Sequence, residues 1–253
     1  MIIVVDIGNT RVKVGVFEGP DLREVMVFAH EEFPAALEAR LEEEDFRGKV
    51  QYMGCASVGN LKMLNALEEF AEGHEGAGWL RIDHETPLPV TNAYASPKTL
   101  GMDRICACVG AHARSEKGPL LAIDAGTAIT YDYLDGDDSY RGGGIAPGMR
   151  LRFQALHDHT AALPLVETAG DLPLVGYNTE TSIRSGVVNG LLAEIEGICE
   201  RYRSLAGPEL KVFLTGGDAD FLGNHLKSIT FVDSNLLLYG IHAVITYNLS
   251  LAP

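Results

Sequence analysis

No apolar run in this 253-residue chain approaches the ~20 residues that a bilayer-crossing helix needs. The opening Met1-Ile2-Ile3-Val4-Val5 is too short for a signal peptide and has no basic leader, so neither export nor membrane insertion is expected. Cysteine is scarce: Cys55, Cys106, Cys108 and Cys199 form no CxxC pair and no disulfide-type spacing. Helical spacing would point Cys106 and Cys108 to different sides, and the four read as packed thiols in a reducing cytoplasm. Positive charge is also short, with 20 Lys and Arg against 35 Asp and Glu, a formal net charge of −15. Such a surface repels phosphate backbones and anionic lipid, which makes nucleic acid and membranes poor partners while leaving room for a local basic pocket. The GxxxxGK[ST] phosphate loop is absent, so a nucleotide would have to be held another way. The single tryptophan, Trp79, is read as a core residue rather than a base-stacking platform.

What is present is a large apolar fraction, 46%, with 22% charged residues, enough for two compact domains. Ile2 to Asp6 is an apolar run ending in a carboxylate, as in a buried strand. Gly8-Asn9-Thr10 supplies a tight turn, and Arg11 to Phe17 alternates polar and apolar residues as a returning strand. Residues Pro34 to Glu44 read as helix, Val50 to Ser57 as strand, and Leu61 to Ala71 as an amphipathic helix with a Leu61, Leu64, Leu67, Phe70 stripe. The opening pattern then recurs. Pro119 to Thr127 is again apolar strand, Asp, Gly and Thr, followed by a returning strand over Ala128 to Leu134. A third glycine turn, Thr215-Gly216-Gly217-Asp218, follows Val212-Phe213-Leu214. The repeat predicts two similar α/β lobes facing across a cleft, 1–114 and 115–253, with a helix over about Thr99 to Arg114 near the boundary and no linker rich in Pro, Gly or Ser.

An ATP site requires donors for phosphate oxygens, a place for a divalent cation and a pocket for the base. In Asp6-Ile7-Gly8-Asn9-Thr10, Gly8 allows close backbone approach, and Asn9 and Thr10 add side-chain donors. Asp6 can hold Mg²⁺ directly or through water, and Lys13 can add positive charge. One such turn could be a plain hairpin bend, which Asn and Gly favour. The second copy at Asp124-Ala125-Gly126-Thr127 and the Gly216-Gly217 turn point instead to two phosphate-facing hairpins and an adenine-side loop.

These segments, with Gly101-Met102-Asp103-Arg104 between them, occur in the order found in type III pantothenate kinases, which the chain resembles over nearly its whole length. Asn92-Ala93-Tyr94, Pro97, Gly142 to Gly148, Asn178-Thr179 and Ser182-Ile183-Arg184-Ser185-Gly186 extend the resemblance. Met102 departs from it, standing where alanine is usual. The resemblance implies the duplicated ribonuclease H-like, two-lobed α/β fold of acetate and sugar kinases, Hsp70 and actin, and ATP-dependent phosphorylation of pantothenate in coenzyme A biosynthesis. It implies Asp103 as the base; Tyr94, Gly101, Met102, Asp103, Arg104 and Thr179 as the pantothenate-binding set; and Asp6, Ile7, Gly8, Asn9, Thr10, Arg11, Val12, Lys13 and Thr127 as the ATP-binding set. Asp124 would hold a monovalent cation, K⁺ or NH₄⁺, or alternatively a second Mg²⁺. It also implies a homodimer with the pantothenate pocket at the subunit interface; Ile183, Val187, Leu191, Ile195 and Ile198 form a helical stripe suited to burial there or within the subunit.

The run Glu42-Glu43-Glu44-Asp45 is read as a solvated helix end, and His157-Asp158-His159 as a loop or helix start rather than a metal cluster, since no further ligand stands nearby. Two rivals remain: a kinase of another small alcohol such as a sugar, and a non-catalytic nucleotide-binding regulator. Retention of Asp6, Asp103 and Asp124 speaks against the second, because a pure binding module needs no base.

Overall fold

The computed structural model describes residues 1–33, 35–44, 46–57, 61–73, 77–115 and 117–251. The chain forms two compact units, Met1–Glu116 with Asn235–Pro253, and Lys117–Ser234. The first therefore differs from the expected 1–114 lobe by taking back the C-terminal segment. Helix α8 (Leu236–Leu251) has apolar residues on several sides, among them Leu236, Leu237, Leu238, Ile241, Val244 and Ile245, and all of these are buried. It packs on the first unit's sheet and on helix α3 (Met102–Ala113).

In the first unit, β1 (Ile2–Ile7), β2 (Val12–Glu18) and β3 (Asp21–Phe28) form an antiparallel meander, while β4 (Tyr52–Ser57) and β5 (Gly78–Arg81) run parallel to β1. The order is β3-β2-β1-β4-β5. Strand β1 is central, which is why Ile3, Val4 and Val5 are all buried. On one face lie α1 (Ala35–Leu41) and α2 (Leu61–Gly73), whose Leu37, Leu41, Leu64 and Leu67 join Ile3, Val5, Val14 and Met53 in one core. Pro34 and Asp45, part of the expected first helix and its acidic end, lie outside the described residues; Glu42, Glu43 and Glu44 follow α1 and are exposed. Trp79 is partly buried against this core and donates from Nε1 to Glu68 at 3.2 Å.

The opposite face is closed by α8, whose side chains pack closely over glycines of the sheet. A Cβ on Gly15 would meet Leu238 Cδ1 at 3.1 Å, and one on Gly54 would lie 2.4 Å from Ile245 Cδ1. Between the helices the approach is closer still. A Cβ on Gly110 would lie 2.1 Å from the Leu236 carbonyl oxygen, and one on Gly240 would lie 1.8 Å from that of Cys106. The crossing of α3 and α8 is thus made backbone to backbone.

The second unit repeats the plan. β7 (Leu120–Ala125), β8 (Ala128–Leu134) and β9 (Ser139–Pro147) form the meander, and β10 (Lys211–Thr215) and β11 (Phe231–Val232) run parallel to β7. Within the unit the order is β11-β10-β7-β8-β9, the topology of the first sheet. Its core gathers Leu121, Ile123, Ile129, Val212 and Leu214 with α4 (Met149–Asp158) and α6 (Gly190–Ala206). Asp132 is fully buried and accepts a 2.7 Å hydrogen bond from the equally buried Tyr140 hydroxyl. The 157–159 segment closes α4 rather than starting a helix: His159 is its C-cap and His157 Nδ1 lies 2.9 Å from the Leu163 carbonyl.

The stripe over 183–198 spans α5 (Thr179–Arg184), a π-helical stretch Ser185–Asn189 and α6. Ile183, Val187, Leu191 and Ile195 are buried in this unit's own core, with Ile198 packed against it, so the stripe is not an intersubunit surface.

Gly240→Ala should lower stability by about 1–3 kcal/mol, the cost of forcing an extra carbon into a packed contact. Gly197→Ala, on α6 with nothing within 4 Å of the added carbon, should instead gain up to about 1 kcal/mol. Chemical denaturation reads both, and an unchanged midpoint for Gly240→Ala would mean that the crossing does not need glycine.

Candidate active site

The first turn lies at one end of the first unit's sheet. Ile7 pairs with Val12, and between them the Gly8 amide donates to the Arg11 carbonyl at 3.1 Å, closing the turn. That N–H is thus engaged inside the turn, while Asn9, Thr10 and Arg11 are exposed at its tip. Ile7 and Val12 are buried beneath it and anchor it to the core. Asp6 is half-buried directly across the ladder from Lys13, so both side chains project from the same face.

Helix α3 brings the next group. Gly101 is its N-cap, with Met102 buried, Asp103 half-buried and Arg104 buried in the first turn. A carboxylate at this end is favoured by the helix dipole. Tyr94 precedes the helix, and its ring lies 5.8 Å from the Arg104 guanidinium carbon in a cation–π arrangement. The Tyr94 amide is held by Asn92 Oδ1 at 3.1 Å, which gives the Asn-Ala-Tyr segment a local structural purpose.

Cys106, one turn beyond Asp103, ties these pieces together. Burial pushes its thiol far above the usual range, and the negative charges of Asp103 and Asp6 push it further. Two carboxylates from different elements, β1 and α3, therefore bear on one buried atom. Cys55 on β4 is raised in the same way, first by burial and then by Asp6. Neither thiol has the depressed pKa of a nucleophile.

In the second unit the turn is shorter: the Gly126 amide donates to the Ala128 carbonyl at 3.0 Å, and Thr127 is exposed. Two other glycines brace it. The Gly148 amide donates to the Thr127 carbonyl at 3.0 Å, and a Cβ there would lie 2.2 Å from the Gly126 carbonyl oxygen. Gly216 has φ +97°, and a Cβ there would lie 2.4 Å from Asp124 Oδ1 and 2.5 Å from the Ala125 carbonyl oxygen. Gly216 thus packs against the Asp124 carboxylate and the Ala125 carbonyl at a distance that only a residue without a side chain allows. The Asp218 amide donates to the Ala125 carbonyl at 3.0 Å, and burial raises the Asp218 carboxyl, with Arg150 opposing.

Thr179 is exposed in the first turn of α5. Asn178 caps that helix, accepting from the Thr181 amide at 2.8 Å. Arg184 and Ser185 are pins: Arg184 Nε donates to the Glu167 carbonyl at 3.0 Å, its Nη1 to that of Asp171 at 3.0 Å, and Ser185 Oγ to that of Leu174 at 2.8 Å. They hold a long loop in place next to Thr179.

The expected residues thus fall into two sets. The first unit carries Asp6 to Lys13, Tyr94 and Gly101 to Arg104; the second carries Asp124, Thr127 and Thr179. Sequence reasoning missed His30, whose Nε2 lies 3.0 Å from the Gly8 carbonyl oxygen. It stands in no motif, and its contact spans 22 residues of chain, so no local signal marked it.

Two sheets of one topology, each placing an Asp and then a glycine turn at the tip of its first hairpin, define the duplicated ribonuclease H-like class. A glucokinase from an Antarctic psychrotroph has the same fold, with a TM-score of 0.56 at 12% identity over 97% of this chain and 98% of that one. The family model for type III pantothenate kinases matches residues 2–201. The type III pantothenate kinase of Flavobacterium johnsoniae is 40% identical over 249 residues, 98% of this chain and 99% of its own. That of Phocaeicola vulgatus is 39% identical over 248 residues, with 98% and 99% covered. The chain belongs to the type III pantothenate kinase family.

Proposed function

We propose that this chain transfers the γ-phosphoryl group of ATP to the primary hydroxyl of pantothenate in the cytoplasm, giving 4′-phosphopantothenate and ADP. The observation that carries the reading is the pairing of Asp6 with Lys13 across the first hairpin, together with Asp103 and Arg104 in the first turn of α3, where the preceding Tyr94 lies against the Arg104 guanidinium. Asp103 takes the hydroxyl proton as the new O–P bond forms and the bond to the ADP oxygen breaks. Arg104, held over Tyr94, clamps the pantothenate carboxylate, and Gly101 and Met102 contribute the adjoining wall of the pocket. Asn9, Thr10, Arg11 and Lys13 bind the phosphates, with Thr127 offering the same chemistry from the second unit's tip. Asp6 is the residue that would hold Mg²⁺, which supplies neutralisation of the phosphate charge; a single half-buried carboxylate with water suits that ion.

The purified enzyme should release ADP from ATP only with pantothenate and Mg²⁺ present. Asp103→Asn should lower kcat by about 10²-fold with the fold intact. ADP release with a sugar and none with pantothenate would transfer the assignment to another alcohol kinase, and an Asp103→Asn enzyme within about twofold of the parent would leave Asp103 a structural residue.

Asp124, half-buried near the end of β7, is the residue that would hold K⁺ or NH₄⁺. Exchange into sodium or a bulky organic cation should depress activity, and potassium or ammonium should restore it. An Asp124→Asn enzyme that stays fully active and potassium-responsive would remove the ion from this site.

A homodimer completes the reading, with Thr179 contributing to the pantothenate pocket near the interface. With the 183–198 stripe committed to the core, its support is the pinned loop, where Leu165, Leu174, Val175 and Tyr177 are 52%, 82%, 81% and 68% exposed. Light scattering should give a dimer, and activity per subunit should fall on dilution through its dissociation range. A fully active monomer would sink the shared pocket and leave the kinase standing.

A further inference from the structure

His30 stands in the turn that follows β3, and three features hold it there. The register Val12↔Phe28 sets the end of β3 beside the point where the Gly8–Arg11 turn re-enters β2. The amides of Glu32 and Phe33 both donate to the Ala29 carbonyl at 3.2 Å, which curls the backbone around His30. Phe33 is buried in the core, its ring 5.9 Å from that of Phe28. From this base the half-buried imidazole reaches the phosphate-facing turn, with Nε2 3.0 Å from the Gly8 carbonyl oxygen. A carbonyl oxygen can only accept, so Nε2 carries the hydrogen and donates it.

The peptide group that this bond grips matters for the turn. A trans peptide is planar, and its C=O and N–H point in opposite directions. Fixing the Gly8 carbonyl toward His30 therefore aims the Asn9 N–H away from it. Glycine is the residue at which such a plane turns over most cheaply, because neither sign of φ is penalised. The turn's own Gly8 N–H to Arg11 bond restrains the preceding peptide, not this one. His30 thus restrains the Gly8–Asn9 plane.

We infer that His30 is a positioning residue for phosphoryl transfer, locking the Gly8–Asn9 peptide so that the Asn9 amide is presented to an ATP phosphate oxygen. Its role holds only if the Asp6–Lys13 tip is the ATP phosphate site. The test compares His30→Ala, His30→Phe and His30→Gln for KM of ATP, KM of pantothenate, kcat and thermal midpoint, with Lys13→Ala as the probe of the tip itself. His30→Ala should raise the KM of ATP roughly five- to tenfold, the scale of one lost hydrogen bond, with the KM of pantothenate within about twofold of the parent. His30→Phe keeps a ring but has no donor and should behave as His30→Ala does. His30→Gln places an amide N–H₂ near the former Nε2 and should return the KM of ATP to within about twofold of the parent. A merely structural role would lower the thermal midpoint and move both KM values together, and that pattern overturns the inference. So does His30→Phe with the parent's KM for ATP. If Lys13→Ala weakens ATP and His30→Ala does not, the clamp falls and the phosphate site stands. If neither variant moves the KM of ATP, the tip is not the phosphate site and both readings fall.

Discussion

The candidate site in the first unit depends on two helix backbones touching. Gly110 and Gly240 carry no side chain, so α3 and α8 approach until a single carbon at either position would overlap a carbonyl oxygen of the other helix. That crossing fixes how far along the sheet α3 sits, and hence where its first turn lies relative to β1. Asp103 and Arg104 are in that turn, and Asp6 is on β1. The shared influence of Asp103 and Asp6 on Cys106 is a consequence of this spacing. Helix α8 comes from the far end of the chain, so Asp103 on α3 is held in place by residues more than a hundred positions away.

The duplicated sheets show how one plan is adapted twice. Both units place an Asp near the end of the central strand and a glycine turn after it, since a buried strand must expose its polar end where the chain reverses. The first turn has four residues between its pairing partners and is braced by a side chain, His30. The second is tighter and is braced by the backbones of Gly148 and Gly216. The longer turn presents Asn9, Thr10 and Arg11 outward, while the bracing of the shorter one sets the Gly216 backbone against the Asp124 carboxylate.

The π-helical stretch Ser185–Asn189 serves a different end. Ser185 Oγ accepts from Asn189 Nδ2 at 3.1 Å while donating to the Leu174 carbonyl, so two helix residues grip one loop. A wide turn inside a helix is a common device where side chains must be re-aimed. Here it lets buried Val187 and Val188 face the core while their neighbours hold the exposed apolar tip at Leu174 and Val175.

Much of this was legible in the chain. The apolar runs ending in Asp6 and Asp124, the alternation that follows each, and the spacing of Gly101 to Arg104 specify hairpins and a helix start by local rules of periodicity and turn chemistry. The third strand of each meander was not read. In β9 three consecutive glycines look like a turn, yet Gly142 sits at a bulge with φ +90° and the strand continues through it. The 183–198 stripe was legible as a buried face, but periodicity does not say what covers it, and the cover is the unit's own core. The return of α8 to the first unit, the glycine contact that seats Asp103, and the reach of His30 to Gly8 were decided only by tertiary structure. Each joins residues far apart in sequence through a close approach, and a sequence pattern encodes which face is apolar, not which distant backbone will lie against it.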